Sequence, residues 1–270
     1  MKNVNDTVLY EVRNGIATIT LNRPTKLNSM TAELLNGVSA SLEKAASDDD
    51  VKVVVLTGAG RAFSVGGDLG GMAEGRPGGL STEGSTEIHI RRLRQSMSTS
   101  QLLHEMPKPT IAAINGACAG AGLAWACAAD LRYCAQSAVF NTAFVTAGLS
   151  GDFGGTWTLP RIVGVAKARE LYFLAQKFDA QEAERIGLVT RRFPDANLME
   201  EVGEVAKRMA EFAPLTLEAV KANLNDAIGL SLGELMDREA ERHVRLSVTD
   251  DAREAAKAYL EKRPPVFHGR

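Results

Sequence analysis

The sequence predicts an α/β protein in which strands alternate with helices over residues 1–195, followed by a helical region over residues 196–270. Two observations predict this class. A short apolar strand runs into a Gly-rich loop and then a helical pattern at residues 51–69, and the same order recurs at residues 111–130. After residue 195, apolar residues recur at helical spacing over four segments, which predicts a mainly helical C-terminal region.

The first elements are predicted to be a hairpin and a capped helix. Apolar strands at residues 7–12 and 16–21 flank Asn14-Gly15, a dipeptide typical of two-residue hairpin turns. Thr31 is placed to cap a helix that ends near residue 47. The apolar face of that helix consists of Leu34, Leu35, Val38 and Leu42.

The middle of the chain is predicted to alternate strands, loops and helices. Six glycines and one proline over residues 70–85 predict a mobile loop, which we interpret either as a lid or as a plain excursion. The other expected elements are strands at 51–57, 110–114, 131–134, 138–140 and 188–191, and helices at 86–105, 166–175 and 180–186.

The composition excludes several classes of partner. Because 31 basic residues nearly balance 33 acidic residues, nothing indicates binding to nucleic acid or an anionic membrane. The three cysteines lie in one apolar region without a CxxC pair, which is typical of buried, reduced thiols. The first six residues are polar, and no uncharged apolar run reaches about 18 residues, so we expect a cytoplasmic protein without a membrane span.

The two Gly-rich junctions are candidates for binding an oxygen atom. Gly120, Ala121 and Gly122 have almost no side chain, so a substrate could reach the backbone where a helix begins. With Gly67 from the first junction, Ala121 could direct two N–H groups at one carbonyl oxygen that gains negative charge. The alternative is that both stretches are close-packed turns between a strand and a helix.

Three other kinds of site fit poorly. The glycine loop at residues 57–60 follows the third predicted strand instead of the first, and none of the four tyrosines precedes a lysine by four residues, as a short-chain dehydrogenase requires. Residues 148–152 lack the final glycine of the serine hydrolase motif. The four histidines are scattered, so we expect no metal site.

Asp152 is the candidate acid–base residue. It lies in the sequence GLSGDFGG, a Gly-rich turn ahead of a helical pattern, where its carboxyl group could face a substrate. The alternative interpretation is that Asp152 caps the following helix.

These motifs together resemble those of the crotonase superfamily, the enoyl-CoA hydratase/isomerase fold. The resemblance covers nearly the whole chain, and its matching segments are NRP with Lys26 and Asn28, AFSVGGDL at 62–69, residues 109–130, residues 148–164 ending in LPRIVG, and residues 180–189. It implies a spiral core of repeated ββα units and a C-terminal helical region that forms trimers, often paired as a dimer of trimers.

The resemblance also implies an acyl-CoA substrate and assigns roles to residues of this chain. The thioester carbonyl would be held by the N–H groups of Gly67 and Ala121. The expected CoA contacts are Lys26, Leu27, Ala62, Ser64 and Gly66. No separate cofactor is expected, because coenzyme A is part of the substrate.

The chain departs from the hydratases of this family at two positions. Those hydratases use two glutamates, where this sequence has Ala124 and Phe144, so standard water addition is disfavoured. Some isomerases of the family are similar in having one Asp followed by Gly-Gly-Thr-Trp, as Asp152 is here. The resemblance therefore predicts migration of a double bond from Δ3 to Δ2, with Asp152 moving the proton.

Phe144 would exclude water from this site, together with Trp125 or Trp157 if these side chains face inward. The alternative for both tryptophans is an ordinary core position.

Three other activities stay open. The first is hydration, the second is another crotonase reaction such as ring isomerisation or thioester hydrolysis, and the third is acyl-CoA binding without catalysis.

Overall fold

The computed structural model describes residues 2–68, 70 and 84–270, with the side chains of residues 2–4 left undescribed. The strands are β1 (Lys2–Asn5), β2 (Val8–Arg13), β3 (Ile16–Leu21), β4 (Val53–Gly58), β5 (Ala62–Ser64), β6 (Thr110–Ile114), β7 (Ala117–Ala119), β8 (Leu131–Ala135), β9 (Val139–Asn141), β10 (Phe178–Asp179) and β11 (Arg191–Phe193). The α-helices are α1 (Ala32–Ser47), α2 (Thr86–Ser96), α3 (Ser98–Glu105), α4 (Ala121–Ala128), α5 (Gly155–Val163), α6 (Val165–Leu174), α7 (Ala180–Arg185), α8 (Leu198–Ala210), α9 (Pro214–Asp226), α10 (Leu232–Ser247) and α11 (Asp250–Glu261).

Within this described part of the chain, the strands form two sheets. The seven-stranded sheet has the order β1-β2-β3-β4-β6-β8-β11, antiparallel at β1–β2 and β2–β3 and parallel at every later pairing. The four-stranded sheet has the order β10-β9-β7-β5, with β10 antiparallel to β9 and the other pairs parallel. β4 and β6 of the first sheet are followed by β5 and β7 of the second, and these two connections lead into the Gly-rich junctions.

The predicted hairpin and first helix are confirmed. β2 and β3 pair around Asn14 and Gly15, whose φ angles are 49° and 77°, as a two-residue turn of this kind requires. The Thr31 side chain accepts a hydrogen bond from the Leu34 N–H and so caps α1.

The large sheet is buried on both faces, which explains its apolar strands. Along β4, Val54 and Leu56 belong to the main core with α1 and α4, whereas Val53 and Val55 pack with α8. All eight residues of α4 are buried, so this short helix lies inside the core. The packing around it holds its N-terminus in place. Because α8 packs on the sheet, it contributes to the core although it follows residue 195; the division of the chain at that residue stays a prediction.

Several predicted elements differ from those observed. β5 and β7 were not expected, the helix at 86–105 is divided into α2 and α3, and the strand expected at 188–191 begins at Arg191. Ile88 of α2 is 38% exposed, and this helix has no fully buried side chain. Most of the predicted lid at 70–85 lies outside the described residues.

A buried ion pair attaches α9 to the core. The Lys221 Nζ lies 2.9 Å from the Asp130 carboxylate and donates hydrogen bonds to the carbonyl oxygens of Leu103 and Lys108. Asp130 also accepts hydrogen bonds from the Thr110 N–H and hydroxyl group, so it connects the end of α4 to β6.

Among the helices that the structure describes, none is long and apolar enough to cross a membrane.

Candidate active site

The first candidate donor, Ala121, is placed by the β7–α4 junction. Gly120 adopts a positive φ of 53° and donates its N–H to the Asn141 carbonyl oxygen at 3.0 Å, and α4 then begins at Ala121. The first N–H groups of a helix have no partner within that helix, so the Ala121 N–H is available to a ligand.

The second candidate donor, Gly67, is placed by the loop after β5. The Met30 N–H donates to the Gly66 carbonyl oxygen at 2.8 Å, which fixes this loop against the segment before α1. A Cβ at Gly67 would meet nothing within 4 Å, so this backbone is open to an approaching group.

Glycines allow the two junctions to touch. A Cβ at Gly122 would lie 2.3 Å from the Ser64 carbonyl oxygen, and a Cβ at Gly116 would lie 2.2 Å from the Arg61 carbonyl oxygen. Neither contact leaves space for a side chain. The glycine pattern therefore brings the β5 loop and the start of α4 together.

Asp152 points into the site instead of capping a helix. The N-cap of α5 is Gly154, in the left-handed conformation, so the capping interpretation of Asp152 is wrong. The Asp152 Oδ1 is buried and has no hydrogen-bond partner among the residues that the structure describes. Burial of the carboxyl group raises the pKa of Asp152 to about 6, because the charged form loses its contact with water.

One cavity joins these three groups. Its volume is about 390 Å³, which lies in the range of small-molecule sites. The described residues that line it are Met30, Leu35, Val65, Gly67, Leu93, Gly120, Ala121, Ala143, Phe144, Thr146, Ala147, Leu149, Ser150, Gly151, Asp152 and Phe153. Within this set Asp152 carries the one carboxyl group, and most of the wall is apolar.

The structure thus brings together four of the predicted site residues: Gly67, Ala121, Phe144 and Asp152. The sequence reasoning missed the apolar wall residues Met30, Leu35, Val65, Leu93 and Leu149. Each is an ordinary apolar residue near the end of an element, so the sequence carries no signal that separates it from the core.

The other proposed lining residues lie elsewhere. Trp125 is fully buried behind the wall, where its indole N–H donates to the Thr99 hydroxyl at 2.8 Å and its ring packs edge-on against Phe153. Ala124 of α4 is buried against the start of α5, where a Cβ at Gly155 would lie 3.1 Å from its methyl group. Both residues support the cavity from behind.

Trp157 does not face the cavity. Its side chain is 40% exposed and lies between the His104 ring, with centroids 5.3 Å apart, and the Arg161 guanidinium, 4.0 Å from the ring centroid. Cation–π contact with Arg161 holds the indole at the surface. The expectation that Trp157 excludes water from the site is therefore wrong.

The residues expected to contact CoA form one connected backbone surface. Leu27 has a positive φ of 51°, and its carbonyl oxygen accepts a hydrogen bond from the Val65 N–H at 3.2 Å. The Ser64 hydroxyl donates to the Asn28 carbonyl oxygen at 2.9 Å. Lys26 and Leu27 therefore lie beside β5, which holds Ala62 and Ser64, and beside the loop after it, which holds Gly66. Because the Ala62 and Ser64 side chains are buried, any ligand would meet them through backbone atoms.

The chain is similar to known proteins over nearly its whole length. The family model for enoyl-CoA hydratase/isomerase matches residues 11–270. A protein of Rhodobacter capsulatus named "Probable enoyl-CoA hydratase" is 38% identical over 264 residues, which is 98% of either chain. The 1,2-epoxyphenylacetyl-CoA isomerase of Escherichia coli is 34% identical over 268 residues, covering 97% of this chain and 98% of that relative.

The chain is also similar to solved structures of this family. The crystal structure of enoyl-CoA hydratase from Bacillus anthracis aligns with a TM-score of 0.90 at 30% identity, over 98% of this chain and all of that chain. The α/β fold with its two connected sheets is thus the crotonase fold. The chain belongs to the enoyl-CoA hydratase/isomerase family of the crotonase superfamily, a family of enzymes that act on acyl-CoA thioesters.

Proposed function

We propose that this enzyme is an enoyl-CoA isomerase that moves a double bond from Δ3 to Δ2. The observation that carries the proposal is Asp152, whose buried Oδ1 has no hydrogen-bond partner in the described structure and which lines the same cavity as Gly67 and Ala121. A carboxylate opposite two N–H donors suits the removal of a proton beside a thioester carbonyl.

Asp152 acts first as a base and then as an acid. Its carboxylate takes a proton from C2 of a 3-enoyl-CoA, and the electrons of the broken C–H bond pass to the thioester oxygen as a dienolate. The protonated Asp152 then returns the proton at C4, and the electrons form the Δ2 double bond. One proton and one double bond move, so the steps need no cofactor beyond the CoA of the substrate.

The Gly67 and Ala121 N–H groups would stabilise the dienolate oxygen. Donors fixed by the backbone need no rearrangement when the charge appears, and one such donor contributes about 3 kcal/mol in comparable sites. The raised pKa of Asp152, about 6, suits both roles, because the group is ionised at neutral pH and still a stronger base than an exposed carboxylate.

Hydration is the second candidate, favoured by the names of several relatives. Ala124 and Phe144 oppose it, because neither side chain can activate a water molecule. Chromatography that resolves the 3-enoyl and 2-enoyl thioesters, coupled to mass spectrometry, distinguishes the two reactions after incubation with either substrate. Isomerisation leaves the mass unchanged, whereas a product heavier by one water from the 2-enoyl thioester, with no conversion of the 3-enoyl thioester, would overturn the proposal.

For the assembly, we propose a homotrimer or a dimer of trimers. The C-terminal helices support this, because Leu224, Leu232 and Leu260 are 66%, 74% and 80% exposed in the single chain. Apolar side chains exposed to this extent on neighbouring helices are typical of an interface. Light scattering in solution tests the proposal, and a monomeric mass would contradict it.

A further inference from the structure

Tyr172 of α6 packs against the wall of the cavity without belonging to the proposed chemistry. Its ring stacks on that of Phe144, with centroids 6.3 Å apart and an angle of 15° between the planes. Phe144 lines the cavity, so Tyr172 forms a second layer behind it.

The same side chain lies along the turn that carries Asp152. Its Cε1 is 3.8 Å from the place that a Cβ of Gly151 would occupy, and its hydroxyl oxygen is 2.6 Å from the place of a Gly155 Cβ. A side chain at Gly155 would therefore collide with the hydroxyl group. The tyrosine contacts both ends of the turn, one residue before and three residues after Asp152.

The Tyr172 hydroxyl fills a space that two small residues leave open. The place of a Gly155 Cβ lies 2.6 Å from this hydroxyl and 3.1 Å from the Ala124 methyl group. A longer side chain at position 124 would compete with the hydroxyl for this space. Ala124, Gly155 and Tyr172 thus form one packed set against the turn that carries Asp152.

Two titratable side chains close to this turn, Tyr172 of α6 and Cys127 of α4, keep their protons near neutral pH. Burial and the charge of Asp152 raise the pKa of Tyr172 well above its ordinary value, so the phenol keeps its proton. Burial raises the pKa of Cys127 on α4 to about 11, so the thiol is neutral as well. His104 of α3 and Arg161 of α5 are held further along α5 by Trp157. No charged group is therefore needed to explain the basicity of Asp152, since burial alone accounts for it.

We propose that Tyr172 is a positioning residue that closes the cavity behind Asp152, its hydroxyl group filling the space beside Ala124 and Gly155 and keeping water away from the carboxyl group. The effect of Tyr172 on catalysis rests on the proposed function. Without the hydroxyl, a water molecule enters beside the carboxylate and stabilises it, so Asp152 becomes a weaker base.

The test measures the titration of Asp152 itself. Infrared difference spectra against Asp152→Asn identify its carboxyl band in the free protein, and a pH titration then gives its pKa. In Tyr172→Phe, which removes only the hydroxyl, and in Tyr172→Ala, which opens a larger space, we expect that pKa to fall by about one unit or more, a tenfold change in the ionised ratio. An unchanged or raised pKa in both variants overturns the inference.

Tyr10→Phe is the matched control. Tyr10 lies in β2 and is 3% exposed, and its buried hydroxyl also lacks a hydrogen-bond partner in the described part of the chain. We expect this variant to keep the wild-type titration of Asp152. If Tyr10→Phe shifts the titration as much as Tyr172→Phe, general loosening of the fold explains the effect and the inference is overturned.

Isomerase kinetics separate this inference from the proposed function. If the wild type converts 3-enoyl-CoA, we expect Tyr172→Phe to lower kcat about tenfold with little change in KM. The apparent pKa on the acidic side of the pH profile of kcat/KM should fall by the same amount as the pKa measured by infrared titration. An inactive wild type would overturn the proposed function, while the infrared titration would still decide the role of Tyr172.

Discussion

Gly66 approaches the start of α4 so closely that a Cβ at this residue would lie 2.9 Å from the Ala121 backbone nitrogen. Its φ of +82° independently disfavours any other residue. This contact joins the β5 loop, which presents Gly67, to the helix N-terminus that presents Ala121. The two candidate donors are therefore aligned by one glycine that does not itself bind the oxygen.

The first prediction concerns this glycine. Gly66→Ala would push the β5 loop away from Ala121 and misalign the two donors, so we expect kcat to fall by about 10²-fold. Gly187→Ala is the matched control, because Gly187 has a φ of +74° but a Cβ there would meet nothing within 4 Å. Both variants carry backbone strain of about 1–2 kcal/mol, measured by denaturant unfolding. Equal loss of kcat in the two would show that strain alone is responsible.

The pH dependence of activity follows from the environment of Asp152. The base must be ionised to accept the C2 proton, and its pKa is about 6. We therefore expect kcat/KM to be constant above neutral pH and to fall about tenfold per pH unit below the pKa. Activity that persists unchanged down to about pH 5 would mean that a more acidic group takes the proton.

Stability should show the same titration with a defined sign. The pKa of Asp152 is raised in the folded state, so the protonated form is favoured there. Its contribution to stability is full below the ordinary value of 3.8 and is lost as the pH rises through about 6. We expect the unfolding free energy of the wild type, relative to Asp152→Asn, to fall by about 3 kcal/mol over this range.

Glu254 provides a control of opposite sign for that measurement. Hydrogen bonds from Arg263 and the Val266 N–H lower the pKa of its carboxyl to about 2. Its contribution is therefore present above the ordinary value of 4.5 and is lost on acidification toward pH 2. The unfolding free energy of the wild type, relative to that of Glu254→Gln, should therefore fall on acidification. If the differences from Glu254→Gln and from Asp152→Asn changed with pH in the same direction, the two opposite pKa shifts would be contradicted.

The sequence alone predicted the structure correctly where a residue type is required by one local backbone geometry. Asn14-Gly15 and Thr31 predicted the first hairpin and helix, because a two-residue turn and an N-cap each demand particular side chains. Gly67 and Ala121 were predicted as candidate donors because each lies at a glycine-rich junction that follows an apolar strand.

The rest depended on contacts that are distant in the sequence. β5 and β7 have three residues each, too few to show a period, and they are stabilised by pairing with each other. The direction of Asp152 depends on Gly154 taking the N-cap position, which leaves the carboxyl group free to face the cavity. Trp157 was misplaced because His104 and Arg161, which hold it at the surface, belong to a separate helix and to the next turn of α5.

The buried ion pair between Lys221 and Asp130 should be essential for stability. In Lys221→Met the Asp130 carboxylate would lose its charged partner, and the carbonyl oxygens of Leu103 and Lys108 would lose a donor. We expect a loss of about 3–5 kcal/mol in the unfolding free energy. Lys257→Met is the control, because Lys257 is exposed and its Nζ lies 4.0 Å from Glu261, and such pairs contribute about 0–1 kcal/mol. A similar small loss in both variants would contradict the role of α9 as a tethered element.

The most direct test is the conversion of 3-enoyl-CoA by the wild type and by Asp152→Asn, followed through the absorbance of the conjugated 2-enoyl thioester. We expect the wild type to form this product and the variant to be slower by about 10²–10⁴-fold, with acyl-CoA binding retained. Equal rates for the two proteins, or no product from either, would contradict the claim that Asp152 carries the proton from C2 to C4.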